Sequence, residues 1–502
     1  MYPLLIVVTS LFLSLLLILY YGLNPQNAEK HKVPPSPTRL PIIGNLHQLG
    51  SSPHQSLCKL SKKYGPLMFM HLGSTPTLVV SSEEAAQEVF KTHDLIFSDR
   101  LSTIPSDELF YRRRNVAFAP YGEYWREVRK ISVLQVLSAK RVESFRDVRE
   151  EVVACMVEKI SQASGPVDLK KIIISTTGNI FCMTALGKKY YEEKLGCGTD
   201  FQHLLEELFR LLGIIHIGDL FPSLAWIGRL TGLDARLKKN FQLMDEFLEQ
   251  VIEEHMAEDR KNSPAQYGRH ADFVDILLEI QRDGSMGVPL DRDNIKAVIL
   301  DNFAGGTDTI YLAIIWTLSE LIRHPTAMKK VQEEIRSVVL HRNSSKVVTE
   351  DEIRKMPYLK CVIKESLRLH PPAPLLIPRK TIQDVEVQGF HIPAKTPVLV
   401  NTWAIGRDPK TWTEPEKFLP ERFLDSEVDF KGQHFKLIPF GAGRRGCPGI
   451  PFATATIEIV VANVLHRFDW ELPAGEDDLD MTEVFGMSVH KKSLLLVPRP
   501  HY

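Results

Sequence analysis

The sequence predicts one mainly helical domain with small β-sheets, preceded by a membrane anchor. Three observations carry this prediction. Long segments with the 3.6-residue period of amphipathic helices make up most of the chain. Short β-branched segments bounded by glycine and proline are few, as expected for minor sheets. No charged residue precedes Glu29, so the N-terminus is as apolar as a membrane-spanning segment.

Composition narrows the class of function. The chain has 502 residues, with 61 Lys and Arg against 62 Asp and Glu, and its net charge is −1. This balance gives no basic surplus for phosphate contacts, so we expect no nucleic-acid partner. The six cysteines are far apart and include no Cys-x-x-Cys pair, which argues against a zinc module or a disulfide-bonded secreted domain. A reducing compartment fits this pattern best.

Residues 1–28 are predicted to be an uncleaved transmembrane helix. The apolar run at 4–23 provides about 20 residues, enough to cross a hydrocarbon core of about 30 Å. A cleaved signal peptide would have a basic start, a shorter apolar region and a small-residue cleavage site, and none of these is evident. Lys30, Lys32 and Arg39 follow the run and nothing basic precedes it. The positive-inside rule therefore predicts a single-pass protein with a cytosolic body.

The next predicted units are a hinge and one continuous domain. Residues 29–41 contain charged residues and four prolines, which exclude a helix and favour a stiff extended connector. Residues 42–502 contain neither an internal repeat nor a low-complexity linker, so we expect a single domain there.

Periodicity predicts the elements of that domain in order. Helices are predicted at 83–92, 124–137, 139–160, 234–260, 292–323, 326–340 and 450–468. Small sheets are predicted from 68–72 with 77–80, and from 385–387 with 398–401.

The segment 440–449 is the densest motif in the chain, and two interpretations compete for it. Its glycines at 441, 443 and 446 spell G-x-G-x-x-G, which marks a dinucleotide-binding turn when it lies in a βαβ unit. Alternating strands and helices are missing around it. In the second interpretation the glycines let the backbone turn tightly beneath a flat cofactor, and Cys447 offers a thiolate to its iron. The helix predicted to begin near Ile450 would point its positive end at this sulfur and keep it ionised.

Phe440, Gly443, Arg445, Cys447 and Gly449 match F-x-x-G-x-R-x-C-x-G, which resembles the signature of the cytochrome P450 family. The chain looks closest to plant microsomal A-type members of specialised metabolism. The resemblance implies the cytochrome P450 fold and a haem b cofactor whose iron is held by the Cys447 thiolate. It also implies that Phe440 packs beside the haem and that Arg445 reaches a propionate.

The family also requires a Glu-x-x-Arg motif, which is a weak signal by itself. The chain contains seven such pairs, and an exposed helical pair is the default for each. Context selects Glu365 and Arg368, which lie in Lys-Glu-Ser-Leu-Arg-Leu-His-Pro-Pro ahead of Pro-Glu-Arg-Phe. By resemblance, Glu365, Arg368 and Arg422 form a buried structural network that holds the loop carrying Cys447.

A third requirement is an oxygen-activating helix on the opposite face of the haem. The predicted helix at 292–323 is largely apolar but carries Gly305 and Gly306, which cost about 1 kcal/mol each relative to Ala. The resemblance implies that they open the helix for O2, and that Asp308 and Thr309 are the catalytic acid–alcohol pair that delivers protons. In the alternative interpretation the glycines only allow close helix packing, and Asp308 lies on a solvated face.

The haem propionates require cationic partners. Trp125 and Arg129 are spaced i,i+4 and match a family pair that hydrogen-bonds the propionates, as Arg379 after Pro378 does. Arginine suits a carboxylate because its fork of donors matches two oxygens. Any one of these residues alone would be unremarkable.

The implied activity is that of a haem-thiolate monooxygenase, which uses O2 and electrons from NADPH delivered by NADPH-cytochrome P450 reductase. The mainly apolar residues of the segments that line the pocket in the family predict a hydrophobic substrate such as a terpenoid or an alkaloid. Phe118, Leu376 and Phe485 are the predicted contacts, and each could equally be a core residue. Some relatives instead catalyse oxidative cyclisation, ring coupling or desaturation without net oxygen insertion. A remote alternative is an NAD(P)-dependent dehydrogenase built on the glycine motif.

Location and partners follow from the same argument. We expect an endoplasmic reticulum membrane protein whose catalytic domain, 42–502, lies in the cytosol. A basic face near Cys447 is predicted to meet an acidic reductase, and it includes Lys130, Lys140, Arg141 and Arg444. Residues 213–226 are unusually apolar for a connector, which either a membrane-dipping loop or a buried helix pair would explain.

Overall fold

The computed structural model describes residues 9–10, 12–14, 32–191, 201–257, 271–284, 287–339, 347–473, 475 and 478–501. The predicted anchor at 1–28 lies almost wholly outside these ranges, as does the start of the predicted hinge at 29–41. From Lys32 the chain runs as far as residue 39 without helix or strand. Two of its carbonyls are bonded to the domain, since Lys32 O accepts from the His391 N–H at 2.7 Å and Pro35 O from the Phe69 N–H at 2.9 Å.

Helices dominate the described residues. They are α1 (Pro53–Tyr64), α2 (Glu83–Gln87), α3 (Ile104–Leu109), α4 (Glu123–Ile131), α5 (Ala139–Ser144), α6 (Arg146–Ser161), α7 (Leu169–Leu186), α8 (Phe201–Gly213), α9 (Ile217–Leu220), α10 (Ile227–Leu230), α11 (Leu233–Met256), α12 (Phe273–Asp283), α13 (Arg292–Gly306), α14 (Asp308–Arg323), α15 (Pro325–Val339), α16 (Glu350–Ile353), α17 (Pro357–Leu369), α18 (Thr402–Ile405) and α19 (Ile450–Arg467). The predicted class, mainly α with small sheets, is confirmed.

The strands form one larger sheet and three small ones. They are β1 (Leu67–Leu72), β2 (Thr75–Val80), β3 (Asp99–Arg100), β4 (Val167–Asp168), β5 (Arg379–Lys380), β6 (Val385–Val387), β7 (Phe390–Ile392), β8 (Pro397–Val400), β9 (Phe468–Glu471), β10 (Glu483–Phe485), β11 (Val489–Lys491) and β12 (Leu495–Pro500). The five-stranded sheet has the order β1-β2-β8-β5-β3. Among the described strands only β2 and β8 pair in parallel, and a doubly wound dinucleotide-binding sheet needs more than one such pair.

Helix α14 runs through the centre of the domain. It packs against α7, α17 and α19, and its residues from Ile310 to Leu321 are nearly all buried. Trp316 is 1% exposed and Ile315 is fully buried. A helix that is apolar on every face is stable only when other elements surround it. The main hydrophobic core therefore wraps α14, and a smaller core lies beneath the five-stranded sheet.

Two predicted helices are divided. The helix predicted at 139–160 breaks at Phe145, where the Ser144 hydroxyl donates to Arg141 O at 2.7 Å and competes with the backbone ladder. The Phe145 ring is 2% exposed, so burial holds the break in place. The helix predicted at 292–323 divides at Thr307, directly after the glycine pair. The first break depends on side-chain contacts that periodicity does not reveal, whereas the second lies at the glycine pair that the sequence shows.

Within the described ranges, one helical stretch, Arg292–Arg323, which comprises α13 and α14, is long and apolar enough to cross a membrane. Its most apolar window is 67% buried inside the protein, as expected of a core helix. Residues Phe201–Leu220 and Pro222–Leu230 pass the same test only as a pair bent by 111°. The bent pair contains the segment 213–226, in which Ile215 is 63% and Trp226 54% exposed.

Candidate active site

A cavity of about 240 Å³ lies between α13 and the turn that carries Cys447. A single buried water needs only about 10–15 Å³ on this measure, so the cavity has room for a large ligand. Its ionisable lining residues are Cys447, Asp301, Arg100, Arg129, Arg379 and Arg445. One thiol and one carboxyl group therefore face four guanidinium groups.

Cys447 lies in a tight turn that brings its side chain to the cavity. Gly441 and Gly443 have φ of 68° and 67°, a conformation that residues with a side chain rarely adopt. A Cβ at Gly443 would also stand 2.3 Å from Asp94 Oδ1. The Cys447 N–H donates to Phe440 O at 2.9 Å and closes the turn. The glycines of the motif thus build the turn that holds the cysteine.

The Cys447 sulfur has the surroundings of a metal ligand. Burial raises the pKa of its thiol, whereas a hydrogen bond from the Gly449 N–H and the charge of Arg129 lower it. The Gly449 nitrogen lies 3.3 Å from Sγ, and α19 begins at the next residue with the positive end of its dipole near the sulfur. A buried thiol of this kind becomes a thiolate when it binds a metal cation.

The four arginines are fastened to backbone carbonyls around the cavity. Their bonds are Arg100 to Ala117 O (2.8 Å) and Ile377 O (2.6 Å), Arg129 to Gly446 O (2.6 Å), Arg379 to Ala442 O (2.7 Å), and Arg445 to Ser98 O (2.7 Å) and Ala119 O (2.6 Å). Each guanidinium has five donors, so each retains donors for another acceptor.

Positive charge outweighs negative charge here, because four guanidinium groups face Asp301 in the lining and Asp94, which lies 3.4 Å from Arg379. The register of β3 and β5 places Arg100 directly opposite Arg379, and like charges in that position repel. Burial, and then the neighbouring arginines, lower the pKa of Arg445 to about 9, and burial lowers that of Arg379 to about 10. An anionic ligand would relieve this repulsion. The residues present therefore fit a flat cofactor that carries iron and two carboxylates, as haem does.

Arg100 is a cavity residue that the sequence analysis missed. Its side chain lines the cavity with Arg129, Arg379 and Arg445, although it lies in a two-residue strand without periodicity. Arg100 is 5% exposed, and the residues around it in the sequence do not predict this burial. Only the pairing with β5 shows which way it faces.

Two predicted haem neighbours differ in placement. Phe440 lines the cavity, and its ring lies 5.3 Å from that of Phe430. Trp125 is absent from the cavity lining, since its Nε1–H donates to Val116 O at 3.0 Å. Its ring instead lies 4.0 Å from the Arg445 guanidinium. Trp125 therefore supports an arginine of the cavity from behind in this structure.

The opposite side of the cavity is the broken helix. Gly305 borders the cavity, and a Cβ added there would meet no atom within 4 Å. A Cβ at Gly306 would stand 2.3 Å from the Phe181 ring, so this glycine permits close packing. Thr309 also lines the cavity, and its hydroxyl donates to Gly305 O at 2.7 Å. The two glycines therefore differ in role. Gly305 leaves space in the cavity, and Gly306 lets the helix pack closely against Phe181.

Asp308 faces away from the cavity. It is 5% exposed, and it is absent from the cavity lining that includes its neighbour Thr309. The solvated face that the sequence allowed for Asp308 is wrong. The Ser488 hydroxyl donates to Asp308 Oδ2, and His490 Nε2 lies 3.5 Å from the same oxygen. Sequence reasoning did not find these partners, which lie 180 residues or more away along the chain.

Of the three predicted substrate contacts, one lines the cavity and two lie outside its lining. Leu376 lines the cavity and has φ of 52°. Phe118 lies outside the lining, and its ring packs 5.2 Å from Phe110 in the main core. Phe485 is also outside, because it stacks on His54 at 5.7 Å. Additional lining residues are Ala117, Asn302, Ile310, Ala313 and Ile377.

Glu365, Arg368 and Arg422 meet in one network. Arg368 binds Glu365 through two bonds of 2.7 and 2.8 Å, and both side chains are fully buried. The Arg422 Nε lies 3.0 Å from Glu365 Oε1. Arg368 also donates to Gly406 O and Pro415 O at 2.5 and 2.7 Å. Burial distinguishes this pair from the exposed pairs with the same spacing.

Comparison with known proteins identifies relatives along almost the whole chain. The family model described as cytochrome P450 matches residues 34–497. A cytochrome P450 of Persea americana is 50% identical over 503 residues, which cover 99% of each chain. Another, from Prunus mume, is 49% identical and covers 100% of this chain and 96% of its own.

Two further matches bear on activity and fold. A phenylacetaldehyde oxime monooxygenase of Prunus mume is 49% identical over 98% of this chain and 94% of its own. A solved zebrafish cytochrome P450 with abiraterone superposes with a TM-score of 0.74 and 26% identity, over 90% of this chain and all of that one.

Proposed function

Since the chain belongs to the cytochrome P450 family, we propose that it oxidises a hydrophobic plant metabolite, such as a terpenoid or an alkaloid. It is a cytochrome P450 monooxygenase, an oxidoreductase with a haem-thiolate iron, and it uses O2, a redox partner and a small-molecule substrate. We further propose that the cofactor is haem b and that NADPH-cytochrome P450 reductase is the electron donor. The dehydrogenase alternative is wrong.

The observation that carries the proposal is a cavity with the buried Cys447 thiol on one side and Gly305 on the other, where an added Cβ would meet no atom within 4 Å. Haem, when bound, supplies the activation of O2 and the insertion of one oxygen atom into the substrate. Cys447 would hold the iron, and the Gly449 N–H would stabilise the negative charge on its sulfur. Phe440 would pack against the flat ring.

The arginines would bind the two carboxylates of the cofactor. Arg129, Arg379 and Arg445 were expected in this role, and Arg100 lines the same cavity. A guanidinium that already bonds a backbone carbonyl is fixed in orientation, so it needs little reorganisation to receive a carboxylate. Trp125 would act by stacking beneath Arg445.

The substrate would lie above the ring against apolar side chains. Leu376, Ile377 and Ile310 line that part of the cavity, which favours a hydrophobic molecule. The hydroxyl of Thr309 would hand a proton to the reacting oxygen, with Asp308 behind it as the acid. Phe118 and Phe485 would shape the pocket through the residues they pack against.

Location and docking belong to the same proposal. The expected anchor at 1–28 would hold the domain on the endoplasmic reticulum membrane, and the exposed Ile215 and Trp226 would touch its surface. The side chains of Lys130 and Arg444 are 64% and 52% exposed, which suits a basic face for an acidic reductase.

Turnover under labelled oxygen tests the reaction. The full-length protein in microsomes with a plant reductase and NADPH is offered terpenoids, alkaloids and aryl aldoximes, the last because one relative is an oxime monooxygenase. The proposal predicts a product that gains one atom of 18O from 18O2. Oxidised product without label would instead support ring coupling or desaturation. Failure with all three classes, despite correct haem loading, would contradict the substrate assignment.

A further inference from the structure

A buried polar cluster joins the broken helix to the hairpin of β10 and β11. Its members are Asp308, Tyr311, Ser488 and His490, defined here as the hairpin cluster. The Ser488 hydroxyl donates to Asp308 Oδ2. The Tyr311 hydroxyl lies 2.5 Å from His490 Nδ1, and His490 Nε2 lies 3.2 Å from Ser488 Oγ. The four side chains thus form a closed ring of contacts.

Exposure within the hairpin cluster decreases toward Asp308. The side chain of His490 is 28% exposed, so solvent reaches it directly. Ser488 and Asp308 are each 5% exposed, and Tyr311 is 7% exposed. Because His490 is the member that water can reach, a proton that travels from solvent to Asp308 through this cluster passes His490 first.

The cluster accepts an added proton without leaving a buried group unpaired. When His490 is neutral, its Nδ1 accepts from Tyr311 and its Nε2–H donates to Ser488. When His490 is protonated, both nitrogens donate, and the Tyr311 hydroxyl turns to Asp308, with which it also forms a side-chain hydrogen bond. Both states are fully hydrogen-bonded, so exchange between them costs little.

Asp308 is the member of the hairpin cluster that precedes Thr309, a residue of the cavity lining. Neighbouring residues on a helix point about 100° apart, since 3.6 residues make one turn. Thr309 therefore faces the cavity while Asp308 faces Ser488. Asp308 has no direct route to solvent of its own, because it is 5% exposed. Repeated turnover that draws protons from Asp308 needs a neighbour that replaces them.

The surrounding charges keep the cluster poised for proton exchange. Burial raises the pKa of Asp308, and His490 is the largest influence that opposes it, followed by Ser488, Tyr311 and Lys170. Burial also raises the pKa of Tyr311, and Asp308, Tyr191 and Glu206 add to that shift. Tyr311 therefore remains a hydroxyl, and Asp308 holds a proton more readily than a solvated carboxylate does.

We propose that His490, with Tyr311 and Ser488, supplies protons to Asp308 during turnover. The inference rests on the proposed function, in which Asp308 is the acid behind Thr309. One proton passes from bulk water to His490, one passes from Tyr311 or Ser488 to the Asp308 carboxylate, and the hydroxyl regains its proton from His490. No electrons move and only O–H and N–H bonds change, so the cluster returns to its starting state.

The test uses the full-length, haem-loaded protein and the variant His490→Gln, which keeps a hydrogen-bonding side chain but removes the imidazole ring. The first readout needs no turnover. Infrared difference spectra, referenced to Asp308→Asn, follow protonation of the Asp308 carboxyl against pH. Loss of a nearby cation should raise the midpoint by about one pH unit. An unchanged midpoint would overturn the relay.

The second readout is product formed per NADPH across pH. General acid–base groups contribute about 10²–10⁴-fold, so loss of a supplying residue should lower this ratio by about tenfold in His490→Gln and remove its decline at high pH. A merely structural role would lower the ratio equally at every pH. His501→Gln is the matched control, because His501 also lies against a carboxylate, Asp469, at 3.4 Å but on the surface.

The outcomes separate the relay from the proposed function. If Asp308→Asn uncouples turnover and His490→Gln behaves like His501→Gln, the relay is wrong and the acid assignment stands. If Asp308→Asn itself leaves the ratio unchanged, both the relay and the role of Asp308 are overturned. Should His490→Gln fold poorly, the double variant Tyr311→Phe/Ser488→Ala replaces it, because it removes both hydroxyls that reach Asp308. The same tenfold loss is expected, and wild-type behaviour would contradict the relay.

Discussion

The two sides of the cavity are built in different ways. The thiol side is the ten-residue segment 440–449, which contains Cys447 and is closed by its own backbone bonds and glycines. The helix side consists of Gly305 to Thr309, and its acid Asp308 depends on Ser488 and His490 from a distant hairpin. A local turn can be recognised from a sequence motif, whereas a contact between residues far apart in the chain cannot be predicted from the sequence near either residue.

We expect loss of the buried pair of Glu365 and Arg368 to prevent folding, whereas damage on the helix side impairs chemistry. The largest effect is expected for Arg368→Ala. Removing this side chain leaves the fully buried Glu365 with Arg422 and the Leu419 N–H as its remaining partners. Breaking such a pair costs about 3–5 kcal/mol, most of the stability of a typical domain. Yield of folded, haem-loaded protein measures the outcome.

The matched control for that variant is Arg210→Ala. Glu207 and Arg210 have the same spacing, but the Arg210 side chain is 61% exposed. Exposed pairs contribute about 0–1 kcal/mol, so this protein should fold with normal yield. Equal yields for the two variants would contradict a structural role for the buried pair.

On the helix side, Thr309→Ala should leave folding intact and impair turnover. Its hydroxyl borders the cavity, and loss of a proton-handling group costs about 10²-fold in the step that uses it. Thr317→Ala is the control, since the Thr317 hydroxyl makes the same bond to the carbonyl four residues back, at 2.7 Å, inside the core. Product per NADPH, with released peroxide, measures the effect. A normal ratio in Thr309→Ala would remove this residue from the proton path.

On the helix side, Gly305 and Gly306 should respond differently to substitution by alanine. Gly306→Ala should destabilise by about 1–3 kcal/mol, because the new Cβ collides with the Phe181 ring. Gly305→Ala should be neutral or stabilising by up to about 1 kcal/mol, because nothing lies near its Cβ. It should nevertheless weaken substrate binding by filling cavity space. Thermal melting and substrate-binding titrations report the two effects, and the reverse order of stability would contradict the packing argument.

The smallest effect on stability is expected for Glu458→Gln, in the helix α19 that follows Cys447. Burial raises the pKa of Glu458 to about 7, while Lys360 opposes the shift. Because the folded state binds this proton more tightly than the unfolded state, stability falls as pH rises from the ordinary glutamate range through about 7. Glu458→Gln should therefore gain about 1 kcal/mol at pH 8 and much less at pH 5. Thermal melting at both values measures it, with the exposed Glu246→Gln as control, and a pH-independent gain would contradict the argument.

Much of the fold was predictable because helices leave a period and the thiol turn leaves a motif. The class, the segment of α19 and the strands near 68–80 follow from local residues. The break at Phe145 and the orientation of Arg100 did not follow, because a buried ring and a two-residue strand pairing decide them. The same reason separates Leu376 from Phe118 and Phe485, since apolar composition does not tell a cavity wall from the core.

The central claim is that Cys447 is the thiolate ligand of a haem iron, and the carbon monoxide difference spectrum of the reduced protein tests it most directly. Wild type should show the band of a thiolate-ligated haem, because the turn presents the sulfur to the cavity. Cys447→Ala should lose that band, whether or not haem remains bound. An unchanged thiolate-type band in the variant would contradict the account.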